Sequence, residues 1–331
     1  MTVGDPLVST VPSMRHFVTY PLVAHPYTPD LVSKGAIVRF ATRAEELGFD
    51  GVGFTDHPAP SHRWLLAGGH DALDPFVALG VVAAVTERLR LVPNILVLPY
   101  RNPFLVAKAA ATLDAVSGGR FVLAVATGYQ RGEYRALGVD FGERNQLFDE
   151  ALAVISGIWA EDEFVYDGLH FTARGQTANP KPGHVPIWIG GNSALSRRRV
   201  AASGDGWTPF AASATLAQTA KTPVLESVHD LKPMLDHLWR CVDEAGRDPA
   251  DIDISLQPLG CAPPGDEAFD PQQTLDTLGT LADLGVTWTS TGVPGDSLDR
   301  ALEALEQYAA SVIAPPVEPP VAPGGQGAPV T

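Results

Sequence analysis

The sequence predicts an α/β fold, a (β/α)8 TIM barrel with insertion loops, and three observations carry that prediction. Short apolar, β-branched runs alternate with segments of helical periodicity, the mark of a parallel sheet buried on both faces. Eight such strand–helix units can be counted, and 331 residues is the length of one barrel with modest insertions. Apolar residues make up 45% of the chain, enough for a large core. An open doubly wound sheet is the alternative the same pattern allows.

The units run in order. A strand at 15–23 (RHFVTYPLV) leads to a helix with Ile37, Phe40, Ala41, Ala44 and Leu47 on one face, stopped by Gly48. Strand 50–55 follows, and after a loop a helix starts at Asp74-Pro75. A polar N-cap followed by proline at the first helical position is a strong start signal, and it recurs at Asn102-Pro103 and Asp270-Pro271. Strand 89–98, helix 103–116, strand 120–127 and helix 143–160 come next, the last burying Leu147, Ala151, Val154, Ile155 and Ile158. The second half reads as strand 185–190, a helix from 193, strand 204–208, helix 231–245, strand 251–257, helix 271–284, strand 286–291 and helix 296–312.

Two stretches break the rhythm. Residues 161–184 hold a hairpin-like aromatic segment (FVYDGLHF) and a Pro/Gly loop, and 211–230 reads as a small, polar inserted loop. The expected organisation is a flexible N-terminal extension over 1–14, one barrel domain over 15–313, and a disordered Pro/Gly-rich tail over 314–331.

A net charge of −15 argues against nucleic acid or an anionic membrane as the main partner. No apolar run approaches the roughly 20 residues that span a bilayer, and the N-terminus lacks the basic start and apolar stretch of a signal peptide, so a cytoplasmic location is expected. Cys241 and Cys261 form no CxxC pair or disulfide framework.

In a barrel the loops after the strands build the active site. The strand ends offer His25, Asp56-His57, Asn94-Ile95, Thr127-Gly128-Tyr129, Gly190-Gly191-Asn192-Ser193, Trp207-Thr208, Gln257 and Thr291. Asp56-His57 is the best catalytic pair: a histidine exchanges protons near neutral pH, and a carboxylate beside it can orient a polar ligand. The competing reading is a hydrogen bond capping the strand end. Gly190-Gly191 lets a phosphate approach the backbone, and the helix opened by Asn192-Ser193 offers free N–H groups. Arg197, Arg198 and Arg199 follow one turn later and either hold an anionic tail or form a solvated helix face with one member paired. His57, His62 and His70 fall in one region, but no HxH or HExxH spacing is present and no metal is expected. Walker, G-x-S-x-G and GxGxxG signatures are also missing.

Four segments together resemble the luciferase-like monooxygenase superfamily of flavin- and deazaflavin-dependent oxidoreductases. They are EELGFDGVGFTDH (45–57), LRLVPNILVLPYRNPFLVAKAAATLDAVSGGRFVLAVATGY (89–129), HVPIWIGGNS (184–193) and GDGWTPF (204–210). The resemblance covers most of 15–310, and the TDH and lPyRnP…AK patterns are similar to the branch that uses coenzyme F420, with FMN users as the alternative.

This resemblance implies a barrel with an insertion loop, a homodimer, and a small-molecule substrate. It places Asp56 and His57 beside the deazaflavin ring, with His57 near the transferred hydride or the substrate oxygen. Thr127 and Gly128 fall at the same cofactor face. A non-proline cis peptide at Asn94-Ile95 is implied behind the ring. Gly190, Gly191, Asn192 and Ser193 would meet the cofactor phosphate, with Arg198 near its tail.

One departure stands out. Several deazaflavin dehydrogenases of this family carry a glutamate where this chain has Tyr129, and a phenol with a pKa near 10 is a poor acid–base at neutral pH. Glu133, one turn on, either substitutes for that acid or is a surface residue paired with Arg131 or Arg135. The substrate pocket would draw on the 58–73 loop (His62, Trp64, His70), Tyr129 and the 211–230 insertion, which suits a moderately apolar ligand. Three functions follow: an F420-dependent oxidoreductase, an FMN-dependent monooxygenase fed with reduced flavin, and a barrel that binds the cofactor without catalysis.

Overall fold

The computed structural model describes residues 14–313. The expected N-terminal extension, up to residue 13, and the tail from 314 lie outside the described residues.

The strands and helices follow in chain order. The first half comprises β1 (Arg15–Thr19), α1 (Lys34–Glu46), β2 (Gly51–Phe54), α2 (His62–Leu66), α3 (Pro75–Ala83), β3 (Arg90–Pro93), β4 (Leu96–Val97), α4 (Pro103–Ser117), β5 (Leu123–Ala126), α5 (Arg131–Ala136) and α6 (Arg144–Ala160). The second half comprises β6 (Phe164–Asp167), β7 (Thr172–Gln176), β8 (Ile187–Gly190), α7 (Ala194–Ser203), β9 (Gly206–Thr208), α8 (Ala214–Ala220), α9 (Val228–Glu244), β10 (Asp253–Ile254), α10 (Pro271–Asp283), β11 (Trp288–Thr291) and α11 (Leu298–Tyr308).

Two parallel sheets, β11-β1-β2-β3 and β10-β9-β8-β5-β4, form the wall. Parallel bridges join them at both edges, Leu91 with Phe121 and Ser255 with Trp288. Backbone bonds seal these seams, Val122 N to Leu91 O at 3.0 Å and Leu256 N to Trp288 O at 3.1 Å. The ring is a closed (β/α)8 barrel.

Alternation along each strand splits the core into two layers. Val18, Leu91, Leu123, Val125, Ile187 and Ile189 face the helices in the main core. Their neighbours Phe17, Val92, Val122, Ala124, Trp188 and Trp288 form a separate inner cluster. Trp188 and Trp288, from different sheets, meet edge to face with centroids 5.4 Å apart, so the lumen is filled by side chains. Gly206 makes room for this: a Cβ there would fall 2.3 Å from Trp188 Cδ1. The Arg15 guanidinium lies 4.4 Å over the Trp288 ring at the N-terminal end of the strands.

The helix starts read from Asx-Pro pairs are real caps. Asp74 accepts from Phe76 and Val77 N–H, Asn102 from Phe104, and Asp270 from Gln272 and Gln273. Five expectations need correction. Strand 89–98 is two strands, broken at Asn94 and Ile95, where the peptide is cis. The loops 58–73 and 211–230 contain α2 and α8, and α5 was not foreseen. The helix placed at 231–245 begins at Val228, because Ser227 and Asp230 form a capping box ahead of Pro233. The hairpin-like segment is the antiparallel pair β6–β7, which Glu150 clips to α6 by accepting the N–H groups of Leu169 and His170.

Candidate active site

The β2 end, the segment after β3, and the β5–α5 turn converge at the C-terminal mouth of the barrel. His57 turns Nδ1 toward Glu133 Oε2 at 3.1 Å. Glu133 is fully buried, and its other partners are the Ala59 N–H at 3.1 Å and the Tyr100 hydroxyl at 3.2 Å. It is therefore neither a surface residue nor a partner of Arg131 or Arg135. Burial, then the adjacent Glu133 carboxylate, push the Tyr100 hydroxyl well above the usual phenol range, so it stays protonated and donates. The Ala59 N–H and the Tyr100 hydroxyl both donate to this carboxylate, and with Glu133 accepting from His57 as well, the ring carries its hydrogen on Nδ1 and leaves Nε2 for the site.

Asp56 is placed differently from its neighbour. Its Oδ1 takes the Arg101 guanidinium at 2.7 Å and its Oδ2 the Val97 N–H at 3.0 Å. Arg101 bridges on to Asp74, the cap of α3, at 3.0 Å. Burial raises the Asp56 pKa and Arg101 opposes the rise. With both oxygens occupied and the residue 3% exposed, Asp56 holds the post-β3 segment against β2 instead of presenting a carboxylate to a ring.

That segment is where the chain narrows. Asn94 Nδ2 donates to Thr19 Oγ1 at 2.9 Å. Ile95 reaches over Gly190, where a Cβ would sit 2.4 Å from Ile95 Cδ1. Gly128, at φ +64°, is equally tight: a Cβ would meet Val97 Cγ1 at 2.6 Å. The Tyr134 hydroxyl donates to the Thr127 carbonyl, fixing the β5 exit. Tyr129 is half-buried, and burial pushes its hydroxyl up, opposed by the nearby Trp64 indole. It is a hydrogen-bonding group at neutral pH and no base.

An aromatic cluster completes the mouth. The His57 ring lies 4.6 Å from Trp64 and 5.0 Å from His70, and His25 lies 5.9 Å from His62. His25 is also bound to Asp71 Oδ2 at 2.8 Å.

On the opposite side, Gly191 (φ +108°) turns the chain into α7, capped by Ser193 accepting from Ser196 N–H. The Gly191 carbonyl takes the Trp207 indole N–H at 3.0 Å. Asn192 is fully buried and spends its side chain on two other loops, donating to Phe210 O (2.9 Å) and Pro223 O (3.2 Å) and accepting from Phe210 N. Its role is to staple loops, which its sequence position at a helix start did not reveal.

The arginine run is not a solvated face. Arg199 grips Asp149 at 2.6 and 3.0 Å, Arg197 binds the Asn192 carbonyl at 2.8 Å, and Arg198 alone of the three is exposed. Of the expected strand-end residues, Gln257 and Thr291 line a separate cleft of about 220 Å³. A further cleft of about 510 Å³, between the starts of α9 and α10, shares no residue with the mouth.

A half-buried histidine set on a fully buried carboxylate at the mouth of a closed barrel is an arrangement suited to acid–base chemistry. Residues 14–272 match the family model described as luciferase-like monooxygenase, and the chain belongs to that family. An uncharacterized protein of Mycobacterium tuberculosis is 30% identical over 243 residues, covering 72% of this chain and 76% of its own. An F420-dependent glucose-6-phosphate dehydrogenase of Microbacterium testaceum is 31% identical over 226 residues, covering 67% and 62%. Among solved structures, an F420-dependent secondary alcohol dehydrogenase in complex with an F420-acetone adduct shares the fold (TM-score 0.72, 17% identity, 91% of this chain and 99% of that one).

Proposed function

We propose that this chain is a coenzyme F420-dependent oxidoreductase that transfers a hydride between the deazaflavin and a small organic substrate. The observation that carries the proposal is the His57–Glu133 pair, 3.1 Å apart, with His57 Nε2 left for the site. The named F420-dependent relative supports the choice of cofactor.

The residues present fit such a group. The Gly190 and Gly128 positions admit no side chain beside Ile95 and Val97. Gln130 Nε2 is buried without a well-formed hydrogen bond, with the Tyr129 hydroxyl as its neighbour, so this polar pair at the β5 exit has donor capacity to spare. The start of α7 after Gly191, with Arg198, would receive the phosphate, because the first N–H groups of a helix lack partners within it. When bound, the deazaflavin supplies a two-electron hydride carrier at one ring carbon. His57 Nε2 takes the hydroxyl proton when an alcohol is oxidised and returns it when a carbonyl is reduced. Glu133 holds the tautomer that makes this possible, and Trp64 packs against the His57 ring at the mouth.

An FMN-dependent monooxygenase is the second reading, favoured by the spent arginines. Arg101, Arg197 and Arg199 are engaged by the protein, which leaves Arg63, Arg131 and Arg198 for the anionic tail of F420. Side-by-side fluorescence titration with F420 and FMN decides. Tight, salt-sensitive F420 binding supports the proposal; FMN binding with oxygen consumption replaces it.

The active form is a homodimer packed through α3 and α4. These helices lie side by side, and Val77, Leu105 and Val116 stand 71, 71 and 67% exposed on them. Light scattering of Leu105→Asp tests this: the variant should be monomeric, and an unchanged mass rejects the interface.

A further inference from the structure

The mouth contains a second imidazole whose hydrogen is fixed. His70 Nδ1 lies 2.9 Å from the Asp71 carbonyl oxygen. A carbonyl only accepts, so Nδ1 carries the hydrogen and Nε2 is a bare acceptor. The Asp71 side chain is itself pinned, accepting from His25 Nδ1 at 2.8 Å and from Tyr27 N–H at 3.0 Å. Gly69 lets the loop pass beneath Trp64, since a Cβ there would come within 2.5 Å of the indole. The ring thus sits edge to face with His57, centroids 5.0 Å apart, and 5.6 Å from Trp64. Burial lowers its pKa, which keeps it neutral at physiological pH. The two histidines are therefore unlike: His57 exchanges a proton, and His70 accepts a hydrogen bond and gives nothing back.

We propose that His70 determines specificity, its Nε2 accepting a hydrogen bond from a hydroxyl on the carbon next to the reacting one. The preferred substrates are then vicinal diols and α-hydroxycarbonyls, in place of simple alcohols and ketones. The inference rests on the hydride-transfer reading above. A ligand with one oxygen at His57 Nε2 and a second on the neighbouring carbon spans two rings in contact. A substrate lacking the second hydroxyl leaves the His70 nitrogen desolvated without a partner, an asymmetry that selects against it.

The test compares hydroxyacetone with acetone, using protein loaded with reduced F420. Wild type should prefer hydroxyacetone at least about tenfold in kcat/KM, the yield of one neutral hydrogen bond. His70→Leu should erase the preference by lowering kcat/KM for hydroxyacetone about tenfold more than for acetone, and His70→Gln, which keeps an acceptor, should restore part of it. A readout without turnover comes from nitrogen NMR of protein labelled at histidine. His70 Nε2 should carry the unprotonated signature and move on adding hydroxyacetone, and stay still with acetone. Equal wild-type efficiencies, a protonated Nε2, or equal losses in His70→Leu overturn the proposal while cofactor turnover leaves the functional reading intact. Absence of F420 binding in the preceding titration overturns both.

Discussion

Glu133→Gln is the most informative substitution, because it removes one charge and almost no volume. Three donors converge on the carboxylate at 3.1, 3.1 and 3.2 Å, from Ala59, His57 and Tyr100. A carboxamide has one acceptor oxygen. It can serve the Ala59 N–H or the His57 and Tyr100 pair, and its NH2 then faces a donor. Hydrogen bonds to charged groups contribute about 1.5–3 kcal/mol, and a buried donor left unsatisfied costs about 1–3 kcal/mol. A loss of roughly 2–4 kcal/mol in unfolding free energy is expected, which for a chain of this length lowers Tm by about 3–6 °C. The catalytic effect is larger. Without the carboxylate, His57 loses its fixed tautomer and orientation, and general acid–base catalysis is typically a factor of about 10²–10⁴. Steady-state turnover should therefore fall at least about a hundredfold, with F420 affinity by fluorescence within about twofold of wild type. A folded Gln variant that keeps more than a tenth of wild-type kcat would refute the pairing as the source of activity.

Three other outcomes follow from the same geometry. Arg101→Met should cost about 3–5 kcal/mol in urea unfolding by stranding the buried Asp56 carboxylate, and adding Asp56→Asn should recover most of it; an additive double variant rejects the coupling. Gly190→Ala should weaken cofactor binding at least about tenfold, since its Cβ would displace Ile95 from 2.4 Å, and unchanged affinity would place the cofactor elsewhere. Burial lowers the pKa of both His16 and His70 below the ordinary imidazole value of about 6.5. The unfolded chain then binds more protons than the folded one just below that pH, so stability should fall as pH drops through 6.5. Comparing urea midpoints at pH 7.5 and 5.5 for wild type and His16→Gln/His70→Gln tests this. An equal drop in both locates the sensitivity in other groups.

The barrel was legible because its signals are local. Asp74-Pro75, Asn102-Pro103 and Asp270-Pro271 mark helix starts within two residues, and buried strands read as short apolar runs. What escaped the sequence was either too short or too distant. Helices α2, α5 and α8 have 5, 6 and 7 residues, less than two turns, so they show no periodicity to count. The sequence leaves Glu133 between a substitute acid and a surface charge paired within its own helix, because its partner His57 lies 76 positions away. Asp56 likewise read as a ligand group because its claimant, Arg101, is 45 residues on. Tyr129 is where the resemblance pointed, at the exit of β5, but the pair proposed for acid–base work is His57 and Glu133, which the fold brings together.

Asn192 has a consequence for anyone who recombines these barrels. One amide side chain ties the turn at Gly191 to Phe210 and Pro223, on either side of α8. The 211–230 insertion is thus not an independent cassette. Grafting a relative's 211–230 segment onto this chain would keep the ties to Phe210 but cut the one to Pro223 unless the graft brought a carbonyl to the same place, and the first casualty would be the shape of the turn at Gly190-Gly191. Loop exchange in this chain has to move residue 192 and the insertion as one unit.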